Sequence, residues 1–150
     1  MKYLFVLFSV VLFAKGCNDT DKDAVKSAQD DISIQYEASS RGYYKKIDIN
    51  KAQFSLTKVR GGKVSAVQEM AAEDWTQLVQ LLDKIDSEKL QKNYINPDDL
   101  RRDAVIPGKL TISYKENVVT LVEFGDGNVP EVLQPLMTKI DAMANAVEKP

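Results

Sequence analysis

The sequence predicts an α+β domain, an antiparallel sheet of about six strands arranged in hairpins with two helices packed on one face. Apolar residues alternate with polar ones in several short runs, and two longer runs carry apolar residues at helical spacing. Glycine-rich or polar turn signals separate these runs, which favours hairpins over crossovers.

The elements follow in order. Ile32, Ile34, Tyr36 and Ala38 alternate, as do Tyr43, Lys45, Ile47 and Ile49, with Ser39-Ser40-Arg41-Gly42 between them. Successive side chains of an extended chain point to opposite faces, so each run has one apolar face. Residues 54–59 and 63–70 flank Arg60-Gly61-Gly62, read as a tight Gly-Gly hairpin. A third hairpin pairs 109–115 with 118–124 around Glu116-Asn117. Trp75, Leu78, Val79, Leu82 and Ile85 form one helical stripe, opened by Glu73 and Asp74, which complement the positive end of the helix. Leu133, Leu136, Ile140, Met143, Ala144 and Val147 form the second, with Asn128 as its expected N-cap and Pro130 in its first turn. Pro135 falls inside that stripe and demands a late start or a kink. The expected core is Ile34, Tyr36, Ile47, Phe54, Leu56, Trp75, Leu78, Leu82, Ile85, Ile112, Leu121, Leu133, Leu136 and Ile140. The other sheet face is left to water or a partner.

The halves also look alike. Leu56-Thr57 and Leu110-Thr111 open them; Leu82-Asp83-Lys84-Ile85-Asp86 and Met137-Thr138-Lys139-Ile140-Asp141 close them. This suggests two ββα repeats, although amphipathic helices converge on such patterns independently.

Composition narrows the chemistry. The 150 residues allow one domain, and histidine is absent, which removes any triad, Cys–His pair or histidine general base. One cysteine cannot form an intrachain disulfide or, without histidine, a thiolate/imidazole zinc site. No cofactor is implied. A net charge of -2 gives no global attraction to nucleic acid, so no nucleic-acid partner is expected. Residues 32–150 suffice to bury roughly two-thirds of the unfolded surface without a metal or disulfide.

The first residues read differently. Lys2 precedes residues 4–14, an apolar run broken only by Ser9, and Gly16 stands before Cys17. The run is shorter than the roughly 20 residues a membrane span needs and fits the apolar region of a signal peptide. Ala14-Lys15-Gly16-Cys17 resembles the lipobox of bacterial lipoproteins, in the relaxed form found in Bacteroidota. It departs from the family pattern at Ala14, where Leu is preferred, and at Lys15, where a small residue is preferred. The resemblance implies that residues 1–16 are a signal peptide and that Cys17 is acylated and holds the chain on the membrane. Several acyl chains anchor stably where one does not. Ala14-x-Gly16 also fits ordinary signal cleavage, which would release a soluble chain with a free thiol.

Residues 18–31 hold five Asp and two Lys and almost nothing apolar, the composition of a flexible acidic tether. Asp19, Asp21, Asp23 and Asp30 imitate a calcium loop, but Ala24 occupies the position that needs Gly, so no metal site is expected. Acidic residues after the cysteine also resemble the signal that exports some Bacteroidota lipoproteins to the surface. The domain division is therefore 1–16 leader, 17–31 lipidated cysteine and tether, and 32–150 folded domain.

Two segments are candidates for recognition. Arg41-Gly42-Tyr43-Tyr44-Lys45-Lys46 offers Arg41, Tyr43, Tyr44 and Lys46, a mixture that can stack on sugars or meet an acidic partner. Alternation sends the two tyrosines to opposite faces, and ordinary strand tyrosines account for them equally. Residues 87–108 form a long connection in which Asn96 can cap a short helix begun by Pro97, Asp98 and Asp99 and paired with Arg101 and Arg102. That helix either covers a sheet edge or helps present Tyr94, Arg101 and Arg102 as a recognition loop. The adjacent acids at helix starts need only dipole effects to explain them. Gly125-Asp126-Gly127-Asn128 lacks phosphate-loop spacing. The expectation is a lipoprotein of the bacterial envelope, on the outer membrane at its periplasmic or surface side. Its domain is expected to be non-catalytic and to bind an envelope or secreted protein or a glycan. A carboxylate-based hydrolase and a structural or assembly component of an envelope complex are the alternatives.

Overall fold

The alternating runs assemble into one antiparallel sheet in the computed structural model, which describes residues 31–148 apart from 87, 102–104 and 116. Its strands are β1 (Ile32–Ser40), β2 (Tyr43–Asn50), β3 (Gln53–Thr57), β4 (Ala66–Glu69), β5 (Pro107–Tyr114) and β6 (Asn117–Gly125). They lie in the order β4-β3-β2-β1-β5-β6. Helices α1 (Ala72–Asp83) and α3 (Gln134–Glu148) follow the outer hairpins, and the short α2 (Pro97–Arg101) lies in the long connection. The two ββα units therefore flank the β1–β2 hairpin from opposite sides, within the predicted α+β class.

Register decides what is buried. Leu56, Ile47, Tyr36, Leu110 and Val122 form one cross-strand row on the helix-bearing face, and Phe54, Ile49, Ile34 and Ile112 form the next. Trp75, Leu78 and Val79 from α1, and Leu136, Met137, Ile140 and Ala144 from α3, close over these rows in one core. Each aliphatic side chain so buried contributes roughly 1.5–3 kcal/mol before entropy is counted. Lys139 ties the helices together, its Nζ lying 2.6 Å from Asp74 Oδ1 and 2.8 Å from Gln77 Oε1. The opposite face is polar: Lys46, Glu37, Lys109 and Glu123 stand side by side across four strands with alternating charge, an arrangement that favours this register.

Several expectations need correction. The β3–β4 connection is not the short turn Arg60-Gly61-Gly62 but the loop 58–65. Gly61 takes φ +66 and Gly62 N–H donates to Val59 O, yet this bend is only the tip. The neck closes lower, where Ser65 N–H donates to Leu56 O and Ser65 Oγ accepts from Lys58 N–H. Leu121, expected in the core, is 37% exposed, whereas Val122 and Phe124 are buried. The run Val118-Val119-Thr120-Leu121-Val122 is apolar on both parities, and pairing Leu110 with Val122 turns Leu121 outward. Leu82 and Ile85 lie at the core margin and are only partly buried. Asn128 does not cap α3. Its N–H donates to Gly125 O, and a 3-10 turn, Glu131–Leu133, precedes the helix. The helix then starts at Gln134, so Pro135 sits in its first turn, where a missing N–H costs nothing.

The long connection covers the β6 edge. Tyr94 N–H donates to Glu123 O and Glu123 N–H to Lys92 O, with a parallel bridge between Asn93 and Glu123. Asn96 Oδ1 accepts from Asp98 N–H at 3.0 Å and caps α2. Among the described residues no helix is long and apolar enough to cross a membrane.

Candidate functional site

The β1–β2 turn, the β3–β4 loop and the β6–α3 turn gather at one end of the sheet. Tyr36, on the buried face of β1, is 1% exposed, and its hydroxyl needs a partner there. It donates to Asp126 Oδ1 at 2.6 Å. Tyr43, at the start of β2, donates to the other oxygen, Oδ2, at 2.8 Å. Asp126 is held in place by its own N–H, which donates to Ile106 O. The Tyr36 ring stacks on Phe124 with centroids 5.7 Å apart. Gly108 makes the arrangement fit, since a Cβ there would stand 2.5 Å from the Tyr36 hydroxyl and 3.0 Å from its ring.

Burial, then the hydrogen bond to Asp126 and its charge, push the Tyr43 phenol up to about 12 from its ordinary 10.0. The same causes in the same order hold the Tyr36 phenol well above its ordinary value. Both are neutral donors at physiological pH, and both Asp126 oxygens are engaged. The triad clasps β1, β2 and the β6–α3 turn together, an arrangement suited to rigidity rather than proton transfer.

Beside the clasp, Lys45 Nζ lies 2.9 Å from Asp141 Oδ1 of α3 and 5.5 Å from the Tyr36 ring centroid. Asp141 separates two open clefts. One, of about 550 Å³, is lined by Tyr94, Asn128, Gln134 and Thr138. The other, of about 380 Å³, lies between the start of β2 and the last turns of α3, with Tyr44, Lys58, Asn145 and Glu148 on its walls.

Charge is unevenly distributed around the second cleft. Residues 41–63 carry seven cations against the single acid Asp48; Arg41, Lys45, Lys46, Lys58, Arg60 and Lys63 belong to this end, whereas Lys51, next to Asn50 opposite Ser33, lies at the other end of the sheet. Helix α3 answers two of them, Asp141 pairing with Lys45 and Glu148 with Lys58 at 2.7 Å, while Lys46 pairs with Asp48 at 3.1 Å. The Arg60 guanidinium lies over the Tyr44 ring at 5.7 Å. Arg41, Arg60 and Lys63 are exposed and make no ion pair among the described residues.

The structure divides the residues singled out from sequence. Arg41, Tyr43, Tyr44 and Lys46 come to the cationic end, with Tyr43 on the core side and Tyr44 on the polar face beneath Arg60. Tyr94 reaches the first cleft, its hydroxyl accepting from Gln91 N–H. Arg101 pairs with Asp98 at 3.3 Å on α2, apart from both clefts. Cys17 and Arg102 lie outside the described residues. Pattern reading passed over Asp126, Asp141, Lys58 and Arg60. Asp126 and Asp141 carry no one-dimensional mark of their roles, but the run of cations from 41 to 63 could have been counted.

Comparison with known proteins finds no family model, no curated protein and no solved structure that matches this chain. Among the described residues, no group of three His, Cys, Asp or Glu side chains could hold a metal ion.

Proposed function

We propose that the chain is a bacterial envelope lipoprotein, anchored through Cys17 and held off the membrane by the acidic tether, whose domain binds a partner without catalysis. The partner is an envelope or secreted protein or a glycan. The observation that carries the binding reading is the cationic end, where six of the seven basic residues of 41–63 gather and three, Arg41, Arg60 and Lys63, are exposed and without a carboxylate partner among the described residues. Such a local excess costs self-repulsion in the folded state and is retained where it steers and orients a partner. The acids nearest the clefts favour binding over hydrolysis. The lining acids Asp141 and Glu148 are paired with Lys45 and Lys58, and nearby Asp126 accepts from two phenols, so none is a free carboxylate of the kind a two-acid mechanism uses.

The anchor is tested by expressing wild type and Cys17→Ala in a bacterium that processes such signals, followed by fractionation. Wild type is expected with membranes and the variant in the soluble fraction. If both are soluble, the anchor is refuted and Cys17 merely follows an ordinary cleavage. Protease treatment of intact cells then distinguishes surface display from a periplasmic location.

A further inference from the structure

We infer that the cationic end binds an acidic segment of a polypeptide, with Arg41, Arg60 and Lys63 as its contact charges; this rests on the binding reading above and narrows its partner. Three features select this partner class. The first is charge, because the three residues lack carboxylate partners among the described residues. Arg41, next to the lining Gly42, and Arg60, over the lining Tyr44, border a cleft whose Lys58 is paired with the partly exposed Glu148, and Lys63 belongs to the same 58–65 loop as Lys58. An incoming carboxylate can displace that surface counterion cheaply, since exposed pairs are worth about 1 kcal/mol or less.

The second is that the two tyrosines form no shared stacking platform. Arg60 covers Tyr44, and the part-exposed Tyr43 is on the other face of β2, its hydroxyl donating to Asp126. The groups this end offers in number are guanidinium and ammonium donors, which suit carboxylates.

The third is placement. Residue 31, where the tether joins the domain, pairs with the β5–β6 turn, Lys115 N–H donating to Asp31 O at 3.0 Å. That turn lies at the opposite end of the sheet from Arg41. Strand β1 runs between the two ends with nine residues, which puts about 30 Å between them at roughly 3.3 Å per residue. The cationic end is thus the one farther from the point where residue 31 enters the domain, a placement that leaves it open to a partner.

The test uses the full chain with Cys17→Ala, so that no acyl chain contributes. Fluorescein-labelled decaglutamate is titrated by anisotropy against this chain, against the same chain with Arg41→Gln, Arg60→Gln and Lys63→Gln, and against a control with Lys84→Gln, Lys89→Gln and Lys92→Gln. The control changes net charge equally at another place. Phosphatidylglycerol vesicles and dextran sulfate are run in parallel. Decaglutamate is expected to bind, to weaken about tenfold or more in the first variant, and to stay within about twofold in the control. Equal loss in both variants overturns the site. Tighter binding of vesicles or dextran sulfate through the same three residues overturns the partner class and leaves the binding surface standing. Absence of binding to all three probes overturns the binding reading as well.

Discussion

Removing the Tyr36 hydroxyl tests whether the clasp holds the cationic end in shape. The hydroxyl is buried and donates to a carboxylate at 2.6 Å, and hydrogen bonds to charged groups contribute roughly 1.5–3 kcal/mol. Tyr36→Phe should therefore destabilise by about 2 kcal/mol, or roughly 8 °C in Tm for a domain of this size. Asp126→Ala orphans the buried phenol and frees Tyr43, which should cost about 3 kcal/mol. The double variant should also cost about 3, because the phenol has no carboxylate left to lose, giving a coupling near 2 kcal/mol. Urea unfolding followed through Trp75, the sole tryptophan and a buried one, reads these values as shifts in midpoint at constant slope. The pH dependence follows with a definite sign. A phenol whose folded pKa is raised contributes stability that is complete below its ordinary 10.0 and declines as pH climbs above it, through about 12 for Tyr43. Wild type should lose more stability between pH 8 and pH 11 than Tyr36→Phe does. Additive single effects, or identical pH profiles, would refute the clasp.

Two further outcomes follow from the packing. Gly108→Ala should cost about 2 kcal/mol by driving a methyl into the Tyr36 hydroxyl. Adding Tyr36→Phe should return part of that loss in urea unfolding, and a purely additive pair would contradict the contact. Leu121→Ser should change stability by less than about 0.5 kcal/mol, whereas Val122→Ser should cost more than about 2. Comparable losses would mean that the β5–β6 register is wrong.

The sheet was legible because β1, β2 and β5 place apolar residues on one parity only, so a single face satisfies them. β6 was legible as a strand but not in its orientation, since Val118 to Val122 are apolar on both parities and only the pairing with β5 chooses between them. The helices were readable from their stripes, and Pro135 announced a late start that the 3-10 turn supplies. Gly61-Gly62 marks a hairpin but not the length of its loop, since the side-chain closure through Ser65 is a contact between residues seven apart. The site was harder. Tyr36 and Asp126 are 90 positions apart, and a turn aspartate facing two phenols leaves no spacing that a linear pattern can hold. Charge counting along 41–63, by contrast, needs no structure at all. It finds most of the cationic end, and the fold adds that Lys51 lies at the opposite end and which cations are already neutralised.

The most direct test of the account is photocrosslinking from the cationic end in intact cells of the native host. A photoreactive phenylalanine analogue is placed at Arg41 or Lys63, and at Thr76 on the exposed side of α1 as a control. The account predicts one discrete adduct from the first two positions and none from Thr76, with the Lys63 adduct lost when Arg41 and Arg60 are changed to Gln. No adduct from either position, or the same adducts from Thr76, would contradict the assignment of this end of the sheet as the binding surface.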